Sequence, residues 1–317
     1  MRKLLLCLSV LGVAGPVSAH EFGVGPLAEI TVYGRADSLL GLANSATQGR
    51  VGSGQLEQRP SLRGGEVLET VPGMIITQHA GGGKANQYFM RAFNLDHGTD
   101  FATSLDGMPI NLPSHGHGQG YSDMNIIIPE LVDHIDYQKG VYYAANGDFS
   151  SAGAAQIETF KAIPRDLYVL EGGMYGYGRS MAAIDRVIQD GDLVLAGDVQ
   201  HSDGPWVRGD NFWKKNGLLR YGRSDENGGF RVTLRGYHGR WNSSDQVAES
   251  AVASSVVPLY GSLDDTTGGR SQRYSLLVDW NRGYADAVTR INAYGFYYDF
   301  DLFSNFTYFL NDPVRGD

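Results

Sequence analysis

The segment SLDGMPIN, residues 104–111, contains the most specific local signal in the sequence. Asp106 and Gly107 stand between two short runs of mostly small and apolar residues, at 102–105 and at 108–110. A two-residue hairpin loop of type I′ needs positive φ at both central residues, and Asp-Gly is one of the pairs that adopt it most readily. The sequence therefore predicts a β-hairpin that turns at Asp106 and Gly107.

The elements expected around this hairpin are short and of mixed type. Residues 66–69 predict a helical turn that ends before Pro72 and Gly73, because both residue types stop helices. A glycine turn is expected at 81–83. Short strands are predicted at 74–77, 88–90, 135–138 and 155–160. This mixture indicates an α+β domain over residues 61–163.

Residues 164–317 follow a different pattern, in which apolar and polar residues alternate. Between 230 and 235, for example, aromatic and aliphatic residues alternate with Arg231, Thr233 and Arg235. Strands of about 10 residues with one apolar and one polar face are typical of an outer-membrane β-barrel, although a soluble β-sandwich also alternates. About eight antiparallel strands are predicted, at 166–175, 179–189, 192–201, 212–223, 230–235, 273–280, 286–299 and 305–310.

Composition excludes several other classes of protein. Glycine accounts for 43 of 317 residues, which disfavours a helical bundle because glycine is a poor helix former. Cys7 is the single cysteine, so a disulfide framework and a multi-cysteine zinc site are excluded. The net charge of −9 argues against nucleic acid as a partner.

The first residues are typical of a secretory signal peptide. Arg2 and Lys3 form a basic start, residues 4–13 are apolar, and small residues lead up to Ala19. We therefore expect residues 1–19 to be a signal peptide that is cleaved near Ala19.

Four segments in order along the chain resemble the plug domain of TonB-dependent outer-membrane receptors. The chain differs from the family pattern at Ala92, where the family has glycine, and at Lys139, where it has arginine. The four segments are EITVYG at 29–34, VLETVPGM at 67–74, MRAF at 90–93 with SLDGMPIN at 104–111, and VDHIDYQKG at 132–140 with the glycine-rich stretch 147–159. The resemblance implies a plug domain at 61–163, followed at 164–317 by antiparallel strands of a transmembrane β-barrel.

The resemblance also implies a function and its partners. Receptors of this family import a scarce ligand, such as a siderophore or another metal chelate, through the outer membrane. Their barrels contact outer-membrane lipid. The energy comes from TonB and the ExbB–ExbD complex, so neither an enzymatic activity nor a resident cofactor is implied. Residues 20–60 would be the N-terminal segment that carries the TonB box, whose short β-prone run suits addition as a strand to a partner's sheet. The box residues are Glu29, Ile30, Thr31, Val32 and Tyr33.

Four residues are candidates for contacts within the receptor or with its ligand. Arg91 is expected to pair with acidic residues of the barrel wall. His115, His117 and Gln119 lie in a glycine-rich loop that is expected to face the outer mouth, where the ligand of such a receptor binds. Two histidines on one loop also suit contact with a metal, so a soluble periplasmic or secreted metal-binding protein is the alternative.

The length of the sequence does not match a whole receptor of this kind. Plugged transporters close with about 22 strands, which take on the order of 450–550 residues after the plug. Residues 164–317 have room for about eight strands. We therefore expect the chain to be an N-terminal fragment of such a receptor.

Overall fold

The computed structural model describes residues 42–78, 81–305 and 311–312. The predicted signal peptide at 1–19 and the TonB box at 29–34 lie outside the described residues. Residues 306–310, which make up most of the strand predicted at 305–310, also lie outside the described residues.

The predicted plug domain contains two sheets. The strands are β1 Leu42–Ser45, β2 Gln48–Gly52, β3 Met74–Thr77, β4 Gln87–Met90, β5 Phe93–Asn94, β6 Phe101–Leu105, β7 Met108–Pro109, β8 Val132–Lys139 and β9 Gly153–Thr159. The larger sheet has the order β1-β2-β8-β9-β6-β7, and the smaller one has the order β3-β4-β5. The larger sheet begins before residue 61, because β2 pairs with β8 from Gln48 to Gly52.

The predicted hairpin is present between β6 and β7. Leu105 pairs directly with Met108, so the loop consists of Asp106 and Gly107 alone. Their φ angles are +49° and +81°, as a type I′ turn requires. Strand β6 also pairs in parallel with β9, and this pairing brings Asp106 to the end of β9 next to Thr159.

Helical structure in the described residues is limited to short pieces. The α-helices are α1 Ser53–Glu57 and α2 Glu249–Ala253. The helical turn expected at 66–69 is part of a 3₁₀ helix. The 3₁₀ segments are Gly64–Thr70, Met124–Ile126, Pro129–Leu131 and Ala144–Asn146. No helix within the described part of the chain is long and apolar enough to cross a membrane.

The described strands after residue 163 form one sheet, which we call the long sheet. They are β10 Leu167–Gly172, β11 Gly178–Ile188, β12 Gly191–Ser202, β13 Phe212–Asp225, β14 Gly228–Asn242, β15 Gly268–Gly283 and β16 Val288–Phe303. Each strand pairs antiparallel with its sequence neighbours, in the order β10 to β16. These correspond to seven of the predicted strands.

The connections of the long sheet differ at its two ends. At one end the chain turns tightly at 189–190, 226–227 and 284–287, and we call this the turn end. At the other end it passes through the loops 173–177, 203–211 and 243–267, and we call this the loop end.

The two faces of the long sheet have opposite chemistry. On β14, Leu234 is 45% exposed on the outer face, whereas its neighbour Arg235 is 6% exposed and Thr233 is 1% exposed on the face toward the plug domain. The polar side is therefore the buried side, which is the reverse of a soluble sandwich and matches a barrel. Two apolar side chains of the inner face, Tyr237 and Leu277, belong to the same hydrophobic core as the plug domain.

Candidate functional site

A buried polar network joins the tip of the β6–β7 hairpin to the long sheet. Arg220 on β13 donates a hydrogen bond from Nη2 to Oδ2 of Asp106 over 2.6 Å, and Arg235 on the adjacent strand β14 donates to the same oxygen. Thr159 donates its backbone N–H to Oδ1 of Asp106 over 2.7 Å, and its hydroxyl donates to Oδ2 over 2.8 Å. All four side chains are buried. We call this group the Asp106 network.

The Asp106 network holds a charge in a place from which water is excluded. Burial by itself would raise the pKa of Asp106, but the guanidinium groups of Arg235 and Arg220 outweigh it and lower the pKa to about 2. The carboxylate is therefore ionised at neutral pH. Arg220 makes further bonds to the hydroxyl of Thr233, over 3.1 Å, and to the backbone oxygen of Phe160.

Further contacts between the predicted plug domain and the long sheet also pair donors of the sheet with acceptors of the plug domain. Arg179 on β11 binds Glu130 of the predicted plug domain with two parallel bonds of 2.6 and 2.8 Å. Arg273 on β15 donates to the backbone oxygens of Pro109 and Ile110, at 2.9 and 3.2 Å. In these contacts the long sheet supplies the cations and donors, and the predicted plug domain supplies the acceptors.

The predicted ligand residues lie on an aromatic surface near the loop end. The ring of His115 stacks on Tyr121 at 4.1 Å with the planes 3° apart, and it also lies 5.1 Å from Phe300 on β16. His117 is exposed, with its ring 4.8 Å from that of the buried His97. We call these residues the histidine surface. Gln119 is exposed nearby, and its backbone oxygen accepts a bond of 2.9 Å from Thr99.

The hydrogen bonds of His115 determine what its ring can offer a ligand. The backbone N–H of His117 donates to Nδ1 of His115 over 3.2 Å. Nδ1 is therefore the acceptor, and the proton of the neutral ring is on Nε2. Burial, and then the neighbouring His117, lower the pKa of His115 to about 4, so the ring is neutral at pH 7. His115 is thus suited to donate a hydrogen bond to a ligand.

A metal site is not formed by these histidines as they stand. Within the described residues, no group of three or more His, Cys, Asp or Glu side chains is placed to hold a metal ion. The geometry of the histidine surface favours hydrogen bonding and stacking.

Comparison with known proteins shows which proteins the chain is similar to. Residues 42–154 match the family described as TonB-dependent receptor plug domain. The fold over 81% of this chain is similar to that of a ferric citrate transporter, FecA, with a TM-score of 0.65 and 15% identity over 41% of that chain. Residues 42–154 are a TonB-dependent receptor plug domain.

Two other solved structures extend the likeness to the long sheet. The ferric yersiniabactin uptake receptor FyuA from Yersinia pestis has a TM-score of 0.61 and 16% identity over 83% of this chain and 43% of that one. A copper transporter, OprC, has a TM-score of 0.60 and 17% identity over 81% of this chain and 38% of that one. The chain therefore spans between 38% and 43% of the length of these three structures. At these identities the likeness is one of fold, and the long sheet is part of the barrel wall in that fold.

The residue predicted to join plug and wall lies away from the contacts described above. Arg91 is exposed, with φ of +51°, and its backbone N–H donates to the oxygen of Gly73 over 3.0 Å. No ion pair of its guanidinium occurs within the part of the chain that the structure describes. A contact of Arg91 with the wall stays a prediction.

Sequence reasoning missed the residues that do join plug and wall. The sequence indicates Asp106 only as a turn residue and Arg235 only as part of the polar alternation, and it does not single out Arg220 within the strand predicted at 212–223. Alternation places the two arginines on one face of their strands, but it does not show which plug residue meets them. The acidic balance of residues 20–163, with 15 acidic and 8 basic side chains, was the available signal.

Replacing Asp106 with asparagine tests the importance of its charge. Asparagine also adopts positive φ, so the turn is retained. Arg220 and Arg235 then remain buried without a counter-charge, and we expect the free energy of unfolding to fall by about 3 kcal/mol. Urea unfolding in detergent micelles, followed by tryptophan fluorescence, measures this change.

Asp190→Asn is the matched control. Asp190 also has positive φ, and its pair with Arg223 is exposed, so the expected loss is below about 1 kcal/mol. Equal losses in the two variants would contradict a special role for the Asp106 network.

Proposed function

We propose that the chain belongs to an outer-membrane receptor that binds a scarce small-molecule ligand and imports it with energy supplied through TonB. The main support is the buried polar interface between the plug domain and the long sheet. A domain that packs its acidic side against the arginine-lined inner face of a barrel wall fills the lumen. Such a receptor must move its plug to pass a ligand, and it needs no covalent chemistry to do so.

The two ends of the long sheet give this receptor a direction. Outer-membrane barrels have short turns on the periplasmic side and longer loops on the outside. The loop end, with the histidine surface, would then face the exterior. The exposed outer face, including Leu234 and Leu276, would contact outer-membrane lipid.

TonB is the proposed partner on the periplasmic side. The box at Glu29, Ile30, Thr31, Val32 and Tyr33 would add as a strand to a sheet edge of TonB, with the ExbB–ExbD complex as the source of energy. A signal peptide cleaved near Ala19 would leave this segment close to the mature N-terminus.

The proposed ligand is a siderophore, a metal chelate or a similar compound. The names of the structural relatives mention copper, ferric citrate and ferric yersiniabactin. In this chain His115, His117 and Gln119 are proposed to contact the ligand at the outer mouth. The neutral, stacked ring of His115 suits a hydrogen bond to an organic chelator better than direct ligation of its metal.

Deleting residues 29–34 tests the TonB box. Because the box serves only to dock TonB, we expect the deletion to abolish energised uptake and to leave ligand binding unchanged. Uptake and cell-surface binding of radiolabelled ferric citrate, ferric yersiniabactin and copper measure the two properties in a strain that lacks other receptors. Deletion of residues 22–27 in the same segment is the control of equal length. Full uptake without residues 29–34 refutes the assignment of the box.

Replacing His115 and His117 together with alanine tests the histidine surface. The change removes the stacked ring and the hydrogen-bond donor, so we expect the dissociation constant of the bound ligand to rise by about tenfold. Equilibrium binding with the same three ligands measures it. His134→Ala, on β8 beside Asp133, is the control. A dissociation constant unchanged by the double substitution contradicts the proposed contact.

A further inference from the structure

A cavity lies at the loop end, on the other side of the glycine turn 81–83 from the histidine surface. It has a volume of about 580 Å³, and we call it the apical cleft. One wall is the plug segment with Gln78, Gly81 and Gly82, and the other is the loop 203–211 with Trp206 and Asp210. The two walls meet closely, since a Cβ on Gly82 would lie 2.8 Å from the ring of Phe212.

The floor of the apical cleft includes a buried amide with an unused acceptor. Gln200 on β12 is 5% exposed, and its Oε1 has no hydrogen-bond partner among the described residues. Leaving a buried acceptor unpaired costs about 1–3 kcal/mol. Such a cost is usually found where a ligand or water completes the bond. A group that binds in the cleft and satisfies Gln200 must donate a hydrogen bond.

The other lining residues combine aromatic rings with uncharged polar groups. Trp206 and Phe212 provide ring surface, while Gln87, Gln246 and Ser202 provide amides and a hydroxyl. Planar amides next to aromatic rings suit a ligand with apolar C–H faces and hydroxyl edges.

The charges around the cleft disfavour an anionic ligand. Asp210 and Asp245 contribute carboxyl groups, and the cation Arg63 is already bonded to Glu66 over 3.2 Å. Burial raises the pKa of Asp210 to about 6, although the side chain of Trp206 opposes this by a hydrogen bond. An incoming anion would meet carboxylates and no unpaired cation among the described lining residues.

The polar groups of the described lining are mainly amides, hydroxyls and carboxyl groups. The described residues that line the cleft include no His, Cys or Met side chain, and these are the side chains that transition-metal ions prefer. An uncharged organic compound fits both the polar groups and the charges.

We propose that the apical cleft binds an uncharged, hydroxyl-rich compound of the carbohydrate class. This compound donates a hydroxyl hydrogen bond to Gln200 and stacks on Trp206. This inference rests on the proposed receptor function and assigns a ligand class to a second site at its outer mouth. The cleft is separated from the histidine surface by the turn at 81–83, where a Cβ on Gly83 would overlap the ring of Trp241.

Calorimetric titration of the full-length receptor with three neutral trisaccharides tests this inference. The probes are maltotriose, cellotriose and triacetylchitotriose, with ferric citrate as the anionic comparison. An amine-oxide detergent is used, because maltoside detergents carry sugar groups themselves. We expect at least one trisaccharide to bind and its dissociation constant to rise about tenfold or more in Gln200→Leu and in Trp206→Ala.

Gln200→Leu also separates binding from folding. It removes an unpaired buried acceptor, so the melting temperature should stay the same or rise while sugar binding is lost. A residue with only a structural role would show the opposite pattern. Gln156→Leu, at an exposed position on β9 outside the apical cleft, should leave sugar binding unchanged.

Each remaining outcome decides one of the two proposals. The cleft assignment is overturned if no trisaccharide binds, or if binding survives both Gln200→Leu and Trp206→Ala. TonB-dependent uptake of ferric citrate without sugar binding would leave the receptor function standing and overturn only the cleft assignment. Sugar binding sensitive to Gln200→Leu, together with uptake that persists without TonB, would support the cleft and overturn the proposed function.

Discussion

One carboxylate, that of Asp106, fixes the plug domain against the barrel wall. It is withdrawn from water and shared by Arg220 and Arg235, which lie on adjacent strands. Each of these arginines would be costly to bury alone, and the carboxylate would be costly without them. The type I′ turn, the parallel pairing of β6 with β9 and the register of β13 with β14 must all be correct for the three groups to meet. The network therefore couples the position of the plug to the geometry of the wall.

The polar character of this interface is consistent with a plug that moves. Separating two apolar surfaces costs about 25 cal/mol for each Å² that is exposed. Separating hydrogen-bonded polar groups costs less when water replaces the lost partners. Glu130 with Arg179, and the backbone oxygens of Pro109 and Ile110 with Arg273, follow the same pattern. The proposed pull on the TonB box would admit water to these polar contacts, whereas the apolar contacts of Tyr237 and Leu277 with the plug would have to be separated as well.

Much of the fold could be predicted from the sequence because it depends on local rules. The Asp-Gly turn follows from the φ angles that these residues adopt, and the seven strands of the long sheet follow from alternation with period two. The partners of Asp106 could not be predicted, because they depend on which strands face the plug and on which residue along each strand lies opposite Asp106. Gln200 could not be recognised either, since an unpaired buried amide is visible only when its neighbours are known. The part of the fold that depends on long-range register is the part that the functional contacts use.

A double-mutant cycle between Asp106 and Arg235 tests most directly whether plug and wall are held together by this charge. Asp106→Asn, Arg235→Gln and the double variant are compared by urea unfolding of the receptor in detergent micelles. We predict a coupling free energy of about 1.5 kcal/mol or more, because the two groups share one hydrogen bond away from water. Additive effects, with a coupling near zero, would contradict it.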